Sequence, residues 1–88
     1  MKNISVYEIE VDPRSKPNDI MGGDMCTIKR FATEKAALKY AIKESFGTIT
    51  STGKPLHEIW VEKYDSDGDI EEQWAYKNGV QTYHIRPN

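Results

Sequence analysis

The chain has 88 residues, including 14 acidic residues and 12 lysines and arginines, and its formal net charge is −2. This near balance does not support a strongly basic nucleic-acid binder or an extremely acidic nucleic-acid mimic, and the lone Cys26 excludes an internal disulfide framework. With 38% hydrophobic and 30% charged residues, the composition predicts a single domain over residues 1–88 with one modest core.

The sequence also predicts a cytoplasmic location. Residues 1–11 lack a basic region followed by an apolar run, so they do not resemble a signal peptide. No segment approaches the roughly 20 apolar residues of a membrane span, which argues against a membrane partner. A single cysteine, Cys26, fits a reducing compartment.

The first strand is predicted over residues 4–11, which are rich in Ile, Val and Tyr. Its alternation is imperfect, because apolar residues occur at both parities. The starting interpretation places Tyr7, Ile9 and Val11 toward the core and leaves Ile4 and Val6 on the other face.

Residues 12–24 form a connection without periodicity, and they contain two prolines and two glycines. A connection of this length is longer than most in compact domains and often serves binding. Ile20 and Met21 near its end are therefore candidate contacts for a partner. The alternative is that they pack on the core, away from water.

A second strand over residues 25–31 precedes one clear helix. Thr33 is a favourable N-cap residue, and Gly47 lies where a left-handed C-terminal cap is expected. A helix of about 14 residues spans about 21 Å, enough to cover one face of a small sheet. The helical spacing predicts a buried stripe of Leu38, Ala41, Ile42, Ser45 and Phe46. A row of lysines on another side comprises Lys35, Lys39 and Lys43.

Two β-hairpins are predicted in the last third of the chain. Asp67-Gly68 and Asn78-Gly79 suit the positive backbone angles of two-residue turns, so each dipeptide is placed at a turn centre. The resulting register sets Val61 opposite Trp74 and Trp74 opposite Tyr83. The core face of the hairpins then carries Ile59, Val61, Trp74, Tyr76, Tyr83 and Ile85.

These elements predict an α+β domain in the order β-β-α-β-β-β, with one helix packed on one face of an antiparallel sheet. A continuous five-stranded sheet is the first choice, and a small curved half-barrel is the alternative. The opposite face has no second helix to cover it, so it is left for water or a partner.

The uncovered face holds the predicted protein-binding residues. Trp60 and Tyr64 stand there among polar side chains, as aromatic anchors do within the polar rim of an interface. The alternative is that these aromatic residues are simply favourable in strands and pack on their neighbours. The predicted protein-binding set is Trp60, Glu62, Tyr64, Glu71, Gln73, His84 and Arg86.

The sequence predicts no catalytic residues, no metal site and no cofactor. Residues 65–69 contain three aspartates, but an EF-hand loop needs glycine at its sixth position and glutamate at its twelfth, where this chain has Tyr76. His57 and His84 are expected on opposite faces, and one cysteine cannot complete a structural zinc site. A Glu62–His84 pair would lie on an open face that excludes no water, so no enzyme is expected.

By elimination, the predicted function is non-catalytic binding of another protein, as an inhibitor, adaptor or accessory protein of the kind that phages and mobile elements encode. Homodimerisation through a sheet edge or face competes with this function. The alternative is a nucleic-acid-binding accessory domain that uses the lysine row or the aromatic sheet face. Nucleic acid is the less expected partner, because Glu62 and Glu71 on that face would repel phosphates.

Overall fold

One helix packs against a five-stranded antiparallel sheet, which confirms the predicted fold class. The structure is a computed structural model and describes residues 3–10, 25–51, 53 and 55–86. Its elements are β1 (Ile4–Glu10), β2 (Met25–Phe31), α1 (Glu34–Glu44), β3 (Leu56–Tyr64), β4 (Ile70–Lys77) and β5 (Val80–Ile85).

The sheet is continuous, in the order β2-β1-β3-β4-β5, so β3 is the central strand and β2 and β5 are the edges. The predicted continuous five-stranded sheet is therefore confirmed, and the described residues do not form the alternative half-barrel. Ile20 and Met21, the candidate loop contacts, lie outside the described residues. Within the described ranges, no helix combines the length and apolar character needed to cross a membrane.

The hydrophobic core lies between α1 and the sheet. The helix contributes Ala37 and Ala41, which are both 0% exposed. Because alanine is small, the helix backbone approaches the sheet closely, and the branched strand side chains fill the space between them. The largest fully buried side chains are Ile4, Val6, Ile59 and Val61.

The side chains of β1 face the opposite way from the prediction, which placed Tyr7, Ile9 and Val11 toward the core and is therefore wrong. Val6 pairs with Val61, and Tyr7 pairs with Trp60. Because side chains alternate along a strand, the even positions face the helix and the odd positions face away. The compact β-branched residues fit beneath the helix, whereas the Tyr7 hydroxyl finds a hydrogen-bond partner on the other face. Ile4 and Val6 are on the helix side, Tyr7 and Ile9 are on the other, and Val11 lies outside the described residues.

Helix α1 begins as predicted but ends earlier. Thr33 is the N-cap, and its hydroxyl accepts a hydrogen bond from the Ala36 N–H at 3.4 Å. The helix has 11 residues. Gly47 does not adopt the predicted left-handed conformation. Its N–H instead donates to the Glu44 carbonyl at 3.0 Å, which tightens the final turn.

The buried stripe of α1 passes through Ala37 and Ala41, and Leu38 packs against its edge. Ile42 and Phe46 are 36% and 63% exposed, so their predicted burial is wrong. The helix turns two of its alanines toward the sheet, where small side chains permit the closest packing.

The first hairpin turn differs from the prediction, although the register beyond it is confirmed. The Gly68 N–H donates to the Asp65 carbonyl at 3.1 Å, and Gly68, not Asp67, has a positive φ of 86°. The loop therefore has three residues and not two. A register shift between Lys63 and Tyr64 offsets the additional loop residue. Val61 consequently lies opposite Trp74, as predicted.

The second hairpin turn is confirmed. Asn78 and Gly79 have φ angles of 53° and 79°, as a two-residue turn of type I′ requires. The Asn78 N–H donates to the Ser45 carbonyl at 2.9 Å, and the Gly79 N–H donates to Ser45 Oγ at 2.8 Å. These bonds join the turn to the C-terminal end of α1.

Strand β5 is shifted by one residue beyond a bulge. Trp74 pairs with His84 and not with the predicted Tyr83. A slip of one residue moves every later side chain to the opposite face of the sheet. The predicted places of Tyr83 and Ile85 in the core are therefore wrong, and both lie on the face that α1 leaves uncovered.

Candidate functional site

The face of the sheet opposite α1, called the open sheet face from here on, is the candidate functional site. Its members follow from the strand pairing, in which Tyr7, Trp60, Ala75 and Tyr83 stand opposite one another across four strands. Two residues along β3, Glu62 lies between Ser5 and Gln73. The side chains that shape this face are Tyr7, Glu58, Trp60, Glu62, Tyr64, Gln73, Ala75 and Tyr83.

A row of hydrogen bonds converges on the Glu62 carboxylate. The Tyr64 hydroxyl donates to Glu62 Oε1 at 2.7 Å, and Gln73 Nε2 donates to Glu62 Oε2 at 2.7 Å. The Tyr7 and Tyr64 hydroxyl oxygens lie 2.6 Å apart. Because the single Tyr64 hydrogen is directed at Glu62, Tyr7 is the donor in that bond.

The surroundings raise the pKa of Tyr64. Burial is the largest cause, and the hydrogen bond to Glu62 and the negative charge of Glu62 act in the same direction. Each of these effects disfavours the phenolate. Tyr64 is therefore held as a hydrogen-bond donor.

Two aromatic rings meet next to this row. The Trp60 and Tyr83 ring centroids are 5.1 Å apart, with 35° between the ring planes. Ala75 lies between them on β4 and is 0% exposed. Its small side chain leaves the room in which rings from the two flanking strands come together, which is the arrangement that the shift of β5 produces.

The Glu58 carboxylate accepts a hydrogen bond from the indole of Trp60 at the edge of the ring pair. Trp60 Nε1 donates to Glu58 Oε1 at 3.3 Å, and Thr82 Oγ1 donates to Glu58 Oε2 at 2.5 Å. His57 Nε2 lies 3.6 Å from Glu58 Oε1. The indole is thus held in one orientation by side chains from β3 and β5.

Four of the seven predicted binding residues come together on the open sheet face, and three do not. The four are Trp60, Glu62, Tyr64 and Gln73.

The prediction that His84 and Arg86 share this face is wrong. His84 stacks on Trp74, with ring centroids 5.5 Å apart and 9° between the planes. His84 Nε2 and Arg86 Nε lie 2.6 and 3.3 Å from Glu72 Oε2 on the helix side. The shift of β5 is the reason, because it exchanges the faces of His84 and its neighbours.

The predicted place of Glu71 on the open sheet face is also wrong. Glu71 Oε2 is 4.0 Å from Lys63 Nζ, which itself lies 3.8 Å from Glu34 Oε1 of the helix. Glu71 is the bulged residue at the register shift of the first hairpin, since Tyr64 pairs with Ile70 and Lys63 with Glu72. A bulge redirects the side chain that it adds.

The sequence interpretation missed Tyr7, Glu58 and Tyr83. No local signal decided the face of Tyr7, because residues 4–11 carry branched apolar side chains at both parities. No local pattern signals the place of Tyr83, because a one-residue slip leaves the alternation within β5 unchanged.

The three aspartates of the first turn are explained by the turn itself. Oxygens of Asp65, Asp67 and Asp69 lie within 4.8 Å of one another, and all three residues are exposed. Asp65 Oδ1 accepts hydrogen bonds from the Asp67 and Asp69 N–H groups at 2.9 and 3.0 Å. This carboxylate caps the turn in the way that aspartate commonly does.

A cavity of about 510 Å³ lies on the helix side of the sheet, and its lining includes Glu8, Tyr40, Glu44 and Ser51. Glu8 Oε1 accepts hydrogen bonds from the N–H and the hydroxyl of Ser51. Burial and the neighbouring Glu44 raise the pKa of Tyr40. The described lining contains no histidine or cysteine, so it offers carboxylates and hydroxyls without a nucleophile–base pair.

Comparisons of the chain with protein-family models, curated proteins and solved structures found no match.

Proposed function

We propose that this chain is a non-catalytic protein-binding domain that docks its partner on the open sheet face, and that it acts in the cytoplasm as an inhibitor, adaptor or accessory protein. The observation that carries the proposal is the Trp60–Tyr83 ring pair. Both rings are only half-buried, and they lie on the face that no helix covers.

The composition of the face supports this function. Aromatic side chains within a polar rim are typical of interfaces, and tryptophan and tyrosine are the most frequent hot-spot residues. Here the aromatic pair is bordered by Glu58, Glu62 and Gln73. The adjacent apolar Ile85 is 43% exposed, which extends the surface that a partner would cover.

The rigidity of the face also supports binding. Hydrogen bonds hold Trp60 through Glu58 and hold Tyr64 through Glu62. A side chain that is already ordered loses little conformational entropy when a partner covers it. The face is therefore organised before binding.

The proposal is tested by removing the ring pair. The variants Trp60→Ala and Tyr83→Ala are compared with Phe46→Ala, which removes an aromatic ring that is 63% exposed but follows the helix. The immobilised domain is exposed to native host extract, and retained proteins are identified by mass spectrometry. A specific partner is expected to remain bound to the native chain and to Phe46→Ala. Each ring variant should lose about 2 kcal/mol or more of the binding free energy, the usual loss at a hot spot.

Circular dichroism of each variant shows whether the fold persists. A partner that binds the folded ring variants as tightly as the native chain contradicts the proposal. Sedimentation of the domain alone tests the competing function, homodimerisation. If the domain self-associates and the ring variants do not, the open sheet face binds a second copy of the chain.

A further inference from the structure

We infer that the open sheet face takes a cationic side chain of its protein partner, with arginine the best fit, between Glu62 and Trp60. This inference rests on the proposed function and specifies the chemistry of the partner: a basic segment that presents a guanidinium group.

The first support is a buried negative charge without a cation. Glu62 is 8% exposed, and both donors to its carboxylate, Tyr64 and Gln73, are neutral. Among the described residues, no basic nitrogen lies within 4.0 Å of its oxygens. A buried charge that lacks a counter-charge is costly, so a cation that reaches it from outside gains a strong interaction.

A second carboxylate of the same sheet shows what Glu62 lacks. Glu72 is 4% exposed on the helix side, and His84 and Arg86 supply nitrogens at 2.6 and 3.3 Å. Basic side chains thus lie beside Glu72 on the helix side. For the carboxylate on the open face, the corresponding place is left to a ligand.

The second support is the geometry around Glu62. A carboxylate offers about four acceptor positions, and two are occupied by Tyr64 and Gln73. Trp60 lies two residues away on the same strand face, a separation of about 6.6 Å along β3. A guanidinium group is planar, and it can bond a carboxylate at its edge while it lies on an indole ring.

The charge of the central strand also favours a basic partner. The carboxylates that β3 places on the open face are those of Glu58 and Glu62, and His57 Nε2 lies 3.6 Å from Glu58 Oε1. Arg30 shares the face, but β1 separates it from β3, and its backbone is about 10 Å from Glu62 at the usual strand spacing. A phosphate backbone would meet the carboxylates first, so the charge favours a basic protein over a nucleic acid.

The test uses the full chain and N-acetyl-argininamide as the probe. The probe is titrated into ¹⁵N-labelled protein while the Trp60 indole N–H and the Gln73 side-chain amide are followed by NMR. The Trp74 indole, which is 3% exposed beneath the other face, is the internal reference. We expect saturable shifts at Trp60 and Gln73 in the millimolar range and none at Trp74.

Two controls isolate the charge. N-acetyl-citrullinamide has the shape of the arginine derivative without its charge, and it should cause no saturable shift. Glu62→Gln should weaken binding of the arginine probe at least roughly tenfold. The matched control is Glu71→Gln, which changes an exposed glutamate away from the open sheet face and should leave the affinity unchanged. Equal shifts with citrulline, unchanged affinity in Glu62→Gln, or no shift with arginine would overturn the inference. If Glu62→Gln does not fold, the comparison of arginine with citrulline on the native chain decides.

The arginine site and the proposed protein-binding function can be tested separately. A protein partner that is lost by Trp60→Ala but binds Glu62→Gln as tightly as the native chain leaves the proposed function standing and overturns the arginine site. An arginine probe that binds as expected, together with protein capture that is insensitive to both ring variants, keeps the cation site and overturns the proposed function.

Discussion

Two of the buried carboxylates, Glu62 and Glu72, are stabilised by different chemistry. Glu72 has the basic neighbours His84 and Arg86. Glu62 has hydroxyl and amide donors, and the hydrogen of Tyr64 is directed at it. Neutral donors offset part of the cost of burying a carboxylate but do not cancel its charge. Glu62 therefore gives the open sheet face a buried negative charge.

Replacing Tyr64 with phenylalanine should make the protein lose less stability at alkaline pH. The pKa of Tyr64 is raised in the folded state. Below about pH 10, the phenol is protonated in both states, and its contribution is complete. Above that pH, the unfolded chain releases the proton while the folded chain keeps it, so the free energy of unfolding falls as pH rises.

Urea unfolding of the native chain and Tyr64→Phe, measured from pH 8 to 11, checks this. Tyr64→Phe should be less stable at pH 8 by about 1 kcal/mol because a hydrogen bond is lost. Its alkaline slope should be shallower by up to about 1.4 kcal/mol per pH unit, the value for one proton. A slope remains because the pKa values of Tyr40 and Tyr76 are also raised. Identical slopes would show that Tyr64 does not titrate differently in the folded state.

The turns show how strongly local chemistry directs the strands. Asn78-Gly79 adopts the two positive φ angles that the dipeptide favours. Asp67-Gly68 does not, because the Asp65 carboxylate accepts two backbone N–H groups of the turn and stabilises a three-residue loop. The presence of both turns was predictable, but the type of the first depended on a side chain outside the dipeptide.

A comparison of two glycines tests the contact between the second turn and the helix end. Gly79 and Gly68 both have positive φ, so alanine at either should cost roughly 1–2 kcal/mol of stability through the backbone. A Cβ at Gly79 would also lie 2.2 Å from Phe46 Cζ, whereas nothing lies within 4 Å of one at Gly68. Gly79→Ala should therefore be the more destabilising of the two.

Phe46→Ala separates the two effects in a double-mutant cycle measured by urea unfolding. In that background, the cost of Gly79→Ala should fall toward the backbone value, and the cost of Gly68→Ala should not change. Equal costs for both glycines, with no coupling to Phe46, would show that the ring does not rest on the turn in solution.

The lysine row of the helix and the open sheet face differ in charge. The helix lysines Lys35, Lys39 and Lys43 are all exposed, and carboxylates occupy the centre of the open sheet face. Neither surface combines a basic groove with stacking aromatic rings, the arrangement typical of single-strand binders. This distribution is the reason that we propose a protein partner and not a nucleic acid.

We expect no measurable binding to mixed DNA or RNA oligonucleotides near physiological salt, as checked by fluorescence anisotropy. If the lysine row contacts phosphates instead, affinity should fall steeply as salt rises. Micromolar, salt-sensitive binding that is lost when Lys35, Lys39 and Lys43 become glutamate would reverse the order of the two candidate functions.

Much of the candidate site could be predicted from the register of the first hairpin. That register placed Trp60, Glu62, Tyr64 and Gln73 together, because alternation along paired strands decides which side chains share a face. Tyr7 joined them through β1, which pairs with a strand more than fifty residues later in the chain. A pairing between segments so far apart has no local signal, so the orientation of β1 could not be read from turns.

Local chemistry was sufficient for the order of the elements, the Thr33 cap, the second turn and the pairing of Val61 with Trp74. Each depends on residues close together in the chain. The rotation of the helix, the face of β1 and the slip of β5 depended instead on which side chains fit across the assembled sheet. The slip brings Tyr83 to Trp60 and His84 to Glu72. Because those contacts join different strands, they exist only once the sheet has formed, and they determine what the open sheet face presents to a partner.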